Sequence, residues 1–146
     1  DPAMPDGTGI PIEERDEVPA TFASATDDWL FGCDICQQVC PHNGETQKTR
    51  SASTHMEYAP RADVFDVEKV LDWTAEDRVD AIAGTAMTRA SLDMWRRNAC
   101  VVAGNILANG DGSASLRARL NGIVQDGNEA AIVRSAARVA IGQQSD

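Results

Sequence analysis

Two stretches 38 positions apart, WRRNACVVAG at 95–104 and VRSAARVAIG at 133–142, match at Arg96 and Arg134, Ala99 and Ala137, Val101 and Val139, and Gly104 and Gly142. The first lies inside SLDMWRRNACVVAGNILANG, which sets Leu92, Trp95, Ala99, Val102 and Ile106 on one stripe at alternating spacings of three and four. That is the period of a helix with one apolar face. A lone helix cannot bury such a stripe, so a repeated one requires its copies to stack on each other and on their neighbours. A period near 40 residues built from paired helices predicts HEAT-like helical hairpins.

The rest of the C-terminal part fits this frame. ADVFDVEKVLDW places Val67, Val70 and Leu71 at i, i+3 and i+4. WTAEDRVDAIAG opens on Thr74 as N-cap, has Asp77 three residues later as a capping-box variant, and closes on Gly84. SASLRARLNGIVQDG carries Leu116, Leu120, Ile123 and Val124, and NEAAIVRSAARVAIGQQ completes the series. About five helices joined by short Gly, Asn and Asp turns are expected, an all-α domain over 61–146. Upstream the periodicity stops. Residues 1–28 hold Pro2, Pro5, Pro11 and Pro19, which predicts an extended, irregular arm with at most a short helix around Ile12–Glu17. Residues 44–60 are polar and read as an irregular connection. A first residue of Asp followed by Pro, rather than Met, suggests a trimmed or processed piece.

Only 5% of the chain is aromatic, which favours helices packed through small side chains over a β-sandwich. No window approaches the ~20 apolar residues of a membrane span, and no secretory segment opens the chain, so a cytoplasmic protein without a membrane partner is expected. A net charge of −10 argues on its face against a polyanionic partner. The charge is uneven, however. Residues 1–80 contain 18 acids and 6 bases, whereas residues 81–146 contain 5 acids and 7 bases. Arginines of the second part therefore remain candidates for phosphate contact.

WLFGCDICQQVCPHN, residues 29–43, holds three of the four cysteines as C-x2-C-x3-C-P: Cys33, Cys36 and Cys40. Thiols this crowded in a cytosolic chain point to metal more than to disulfides, and soft sulfur selects zinc or iron–sulfur clusters. Three readings compete. Zinc would recruit His42 as fourth ligand, with all donors drawn from one short stretch. The thiols could be structural and unligated. Iron–sulfur ligation accounts for the terminal Cys-Pro, because in two-cluster ferredoxins the cysteine before the proline serves the other cluster. The order is also the reverse of the C-x3-C-x2-C of radical enzymes, which sets that class aside. Cys100, inside an apolar helix, is expected to pack in the core. His55 has no evident partner.

DDWLFGCDICQQVCPHN resembles the second cluster motif of epoxyqueuosine reductase, an iron–sulfur and cobalamin enzyme of queuosine synthesis in tRNA. LDWTAEDRVDAIAGTAMTRASLDMWRRNACVVAGN, residues 71–105, is similar to that family's stretch after the clusters, with its Arg-Asn-Ala-Cys-x-x-x-Gly-Asn ending. The resemblance covers about 29–142 and implies three parts: an N-terminal cobalamin domain with the catalytic acid, a ferredoxin-like part with two 4Fe–4S clusters, and a helical-repeat part that holds the tRNA anticodon stem-loop. It implies that Cys33 and Cys36 serve one cluster and Cys40 its neighbour. Residues 29–60 would then be a partial, cysteine-rich ferredoxin-like loop and its connection, with Trp29 and Phe31 covering it from water. Arg89, Arg96 and Arg97 would touch phosphate of the RNA, or else form no more than a solvated helix face.

The chain also departs from that pattern. Residues 1–28 contain no cysteine, so neither cluster can be completed from this sequence. The cobalamin domain is absent, His42 stands where the family usually has Trp, and ALA-SER-LEU-ASP at 90–93 replaces part of a basic run. The isolated chain is thus expected not to catalyse a reaction. Two functions remain: a C-terminal fragment or relative of epoxyqueuosine reductase, supplying cluster ligands and an RNA-holding surface, or a non-catalytic HEAT-like interaction module that has lost the redox chemistry.

Overall fold

The computed structural model describes Val18, residues 23–32, Cys36, residues 39–43 and residues 65–142. Cys33, the expected helix around Ile12–Glu17, the polar connection at 44–60 and His55 lie outside the described residues. The described residues fall into two compact units, one formed by residues up to Phe31 together with those from Phe65 onward, the other within Gly32–Val64.

Among the described residues every regular element is helical. The first unit contains α1 (Val67–Leu71), α2 (Ala75–Ile82), α3 (Leu92–Ala108), α4 (Ala114–Gln125) and α5 (Ala131–Gly142), with 3-10 turns at Ser24–Thr26 and Ala86–Arg89. Side-chain caps set where these helices begin. Asp66 accepts from the amides of Glu68 and Lys69 at the start of α1, Ser91 caps α3 through the amide of Met94, and Ser113 caps α4 through that of Leu116. At α2 the expected capping box is present in full. Thr74 Oγ1 accepts from the Asp77 amide at 3.2 Å, and Asp77 Oδ2 accepts from the Thr74 amide at 2.8 Å. These bonds hold the Asp77 carboxyl below its usual range. Past the helix, Gly84 takes φ +75°, a left-handed conformation that a side chain would oppose.

Packing follows the apolar stripes. The longest helix, α3, lies against α5 and α1, and α5 also packs on α4. Four pairs of residues spaced by 38 are all buried: Ile82 and Leu120, Trp95 and Val133, Ala99 and Ala137, Val102 and Ala140. Of the pairs that match in sequence, Ala99 and Ala137 are buried in both copies, whereas Val101 is buried and Val139 exposed. Arg78 joins α2 to the following turn, donating to the carbonyls of Thr88 at 2.7 Å and Ala90 at 2.9 Å.

The helix α3 differs from the one-sided stripe expected of it. Residues 97–105 are buried all round, Arg97, Asn98 and Asn105 included. The cause is a second layer: residues 23–31 run along the face of α3 that the stripe leaves open, with Ala23 and Leu30 buried. Residues 23–28, expected at the end of a free arm, thus form part of the folded unit. Of the second unit, a 3-10 turn at Pro41–Asn43 directly after Cys40 is described. No helix among the described residues is long and apolar enough to cross a membrane.

Candidate functional site

Cys36, Cys40 and Cys100 are free thiols in three different environments. Cys36 is exposed, Cys40 is half-buried and Cys100 is buried. Burial pushes the Cys100 thiol up to about 12, outweighing the opposing pull of Arg96. A buried thiol that stays protonated in the physiological range is neither nucleophile nor metal ligand, so Cys100 packs as the apolar residue expected. His42 is exposed. Among the described residues no three Cys, His, Asp or Glu side chains converge as a metal site. The donor chemistry of Cys33, Cys36 and Cys40 suits iron–sulfur, but a 4Fe–4S cluster takes four thiolates, and the structure withdraws Cys100 from that role.

Immediately before the thiols, the chain is fastened to α3 through two asparagines seven residues, or two turns, apart. Asn98 Nδ2 donates to the Leu30 carbonyl at 2.8 Å. Asn105 Nδ2 donates to the carbonyls of Ala23 at 2.8 Å and Asp27 at 2.9 Å. Both asparagines are largely buried, at 6% and 7% exposure, so each amide proton they give replaces a bond to water. Within the strap, Thr26 Oγ1 donates to the Ala23 carbonyl at 2.7 Å and the Trp29 amide to the Thr26 carbonyl at 2.9 Å. Asp27 has φ +47°, a conformation costly for any residue with a side chain.

The strap ends on an aromatic cluster. Phe31 stacks on Trp95 with ring centroids 5.2 Å apart and planes at 12°. Phe65, where the first unit resumes, meets the same indole at 5.5 Å, and Trp73 packs against it at 5.4 Å. The Arg89 guanidinium lies over the Phe31 ring, 4.6 Å from its centroid, an attraction between cation and ring face.

This geometry relocates the arginines expected at phosphate. Arg97 is 1% exposed. Arg96 is occupied: its Nη1 and Nη2 reach the two carboxylate oxygens of Glu129 at 2.9 and 2.6 Å, and its Nε donates to the Leu71 carbonyl at 2.8 Å. Both side chains of that ion pair are mostly covered, 16% and 7% exposed. Arg89 alone of the three lies on the surface. Phe31, expected over the cysteines, packs on Trp95 of the helical unit. The expectation missed Asn98 and Asn105, although both are in the quoted RNACVVAGN motif. Their seven-residue spacing inside an otherwise small and apolar helix was the available signal.

Curated relatives agree with the resemblance. An epoxyqueuosine reductase of Synechococcus sp. (strain CC9605) is 36% identical over 91 residues, covering 60% of this chain and 27% of the relative. One from Burkholderia pseudomallei (strain K96243) is 30% identical over 122 residues, covering 77% and 29%. The chain is related to the epoxyqueuosine reductases. Another such enzyme, from Prochlorococcus marinus (strain NATL2A), is 33% identical over 90 residues, covering 60% of this chain and 28% of the relative. The chain spans less than a third of the length of these relatives. No family model matches the chain, and no solved structure does.

Proposed function

We propose that this chain serves as the thiolate-bearing and helical-repeat part of an epoxyqueuosine-reductase-type oxidoreductase. Cys33, Cys36 and Cys40 would be cluster ligands, two for one cluster and one for its neighbour, with the remaining thiolates and the cobalamin supplied by polypeptide outside this sequence. When bound, such a cluster supplies one-electron transfer. The chain's own residues would hold it. Cys36 and Cys40 are free and reachable by solvent, whereas Cys100 is sealed away and protonated. The helical unit is read as HEAT-like, with α4 and α5 packed as a hairpin and α3 against α5, a reading supported by the buried pairs at a spacing of 38. A tRNA partner is part of the same proposal, with cytoplasmic location following from it. Arg89 is the arginine of the expected set that stands at the surface to meet phosphate.

The observation that carries the proposal is the C-x2-C-x3-C-P thiol set on a chain related to these reductases. Anaerobic reconstitution with iron and sulfide, with an excess of a small thiol standing in for the thiolates this sequence lacks, tests it. A broad visible chromophore is expected, weakened by Cys33→Ser, Cys36→Ser or Cys40→Ser and unaffected by Cys100→Ser. Colourless wild-type protein would overturn the redox role and leave a HEAT-like interaction module.

A further inference from the structure

The fastening of residues 23–31 has a consequence for the thiols that follow them. The segment Gly32–Val64 carries all three motif cysteines. The residue before it, Phe31, and the residue after it, Phe65, both pack on one ring, the indole of Trp95. Trp95 itself is completely buried and sits in α3 at the centre of the core. The chain thus leaves the helical unit and returns to it at a single side chain.

We infer that Asn98 and Asn105 are positioning residues for the strap at 23–31 that leads into the cysteine segment, and that Trp95 clasps both the end of that strap at Phe31 and the return of the chain at Phe65. This rests on the proposed redox role only in calling those cysteines ligands. Division of labour within the clasp is visible in the chemistry. Trp95 supplies apolar area to both phenyl rings. The asparagines supply donors to the carbonyls of Ala23, Asp27 and Leu30, the first of which also accepts from Thr26 Oγ1. Because they grip backbone, they constrain the path of the strap and not its sequence. Asp27 shows the grip at work, since its costly φ is kept where Asn105 holds its carbonyl. Thirty-eight residues on from Asn98 stands Ala136, which has no side-chain donor.

Hydrogen exchange followed by mass spectrometry tests the clasp on the whole chain. In Asn98→Leu and Asn105→Leu, amides of 24–31 should exchange about tenfold faster or more, as expected when a buried donor is lost, while those of α5 keep the wild-type rate. Asn105→Gln, which keeps the amide donor, should restore part of the protection. Unchanged exchange at 24–31 in both leucine variants overturns the inference, as does equal acceleration across α5, which would mean general unfolding. Should either leucine variant fail to fold, Phe31→Ala, at a partly buried ring of the clasp, takes its place, with the same two outcomes. The exchange result decides the clasp whatever iron reconstitution shows, so the two proposals fail separately.

Discussion

Arg96 offers a direct contest between two roles. As a phosphate contact it would be dispensable for folding, and its removal would lower RNA affinity and flatten the salt slope by about one unit. As the structure places it, Arg96 bridges α1 and the start of α5, through the Leu71 carbonyl and a two-pronged bond to Glu129. Arg96→Ala would strand the Glu129 carboxylate, whose side chain is 7% exposed and whose remaining bond is to the Ala130 amide at 3.1 Å. Removing one member of a buried pair costs about 3–5 kcal/mol. With Arg96 itself 16% exposed, the lower figure, about 3 kcal/mol, is expected. Glu129→Ala should cost less, about 2 kcal/mol, because Arg96 keeps the Leu71 carbonyl and some water. The double variant should be little worse than Arg96→Ala alone, giving a coupling energy of about 2 kcal/mol. Urea unfolding followed by far-ultraviolet circular dichroism measures all three. A coupling below about 0.5 kcal/mol would put the pair among ordinary surface ion pairs and refute the assignment.

Two further outcomes follow from local geometry. Burial raises the Cys100 thiol from 9.0 to about 12, so the unfolded chain releases that proton first on going alkaline. The resulting stability is complete below pH 9 and is lost progressively between pH 9 and 12. Cys100→Ala should remove this part of the alkaline loss in thermal unfolding scans, and an unchanged profile would show that the thiol is not sealed. At Gly112, an added Cβ would run into Leu107 Cδ2 and lie 3.1 Å from Leu107 Cα. Gly112→Ala should therefore destabilise by about 1–3 kcal/mol through overpacking, read as a lower urea midpoint, with wild-type stability as the refuting result.

Much of the helical unit was legible because its determinants are local. The Thr74–Asp77 box, Gly84 and the stripes at Trp95–Ala99–Val102 and Leu116–Leu120–Ile123 depend on neighbours within one or two turns. What escaped depends on partners far away in sequence. Arg96 and Arg97 look like a basic surface pair until Glu129 and the strap are in place. Asn98 and Asn105 acquire meaning only from carbonyls at least 68 residues distant. The seven-residue spacing of the two asparagines marks one face of α3 as polar but does not name the segment that covers it. For the thiols the sequence yielded donor type and spacing, and the structure added that the fourth cysteine is unavailable to them.

A stretch of polypeptide whose two feet stand on the same indole is, topologically, an insertion. Lengthening such a loop twofold costs only about 0.6 kcal/mol in closure entropy, and its two anchors on Trp95 lie outside the part that is lengthened. Whatever electron-carrying or purely mechanical cargo lies between Phe31 and Phe65 can therefore be exchanged over evolutionary time, or by an engineer, while the platform beneath it stays the same.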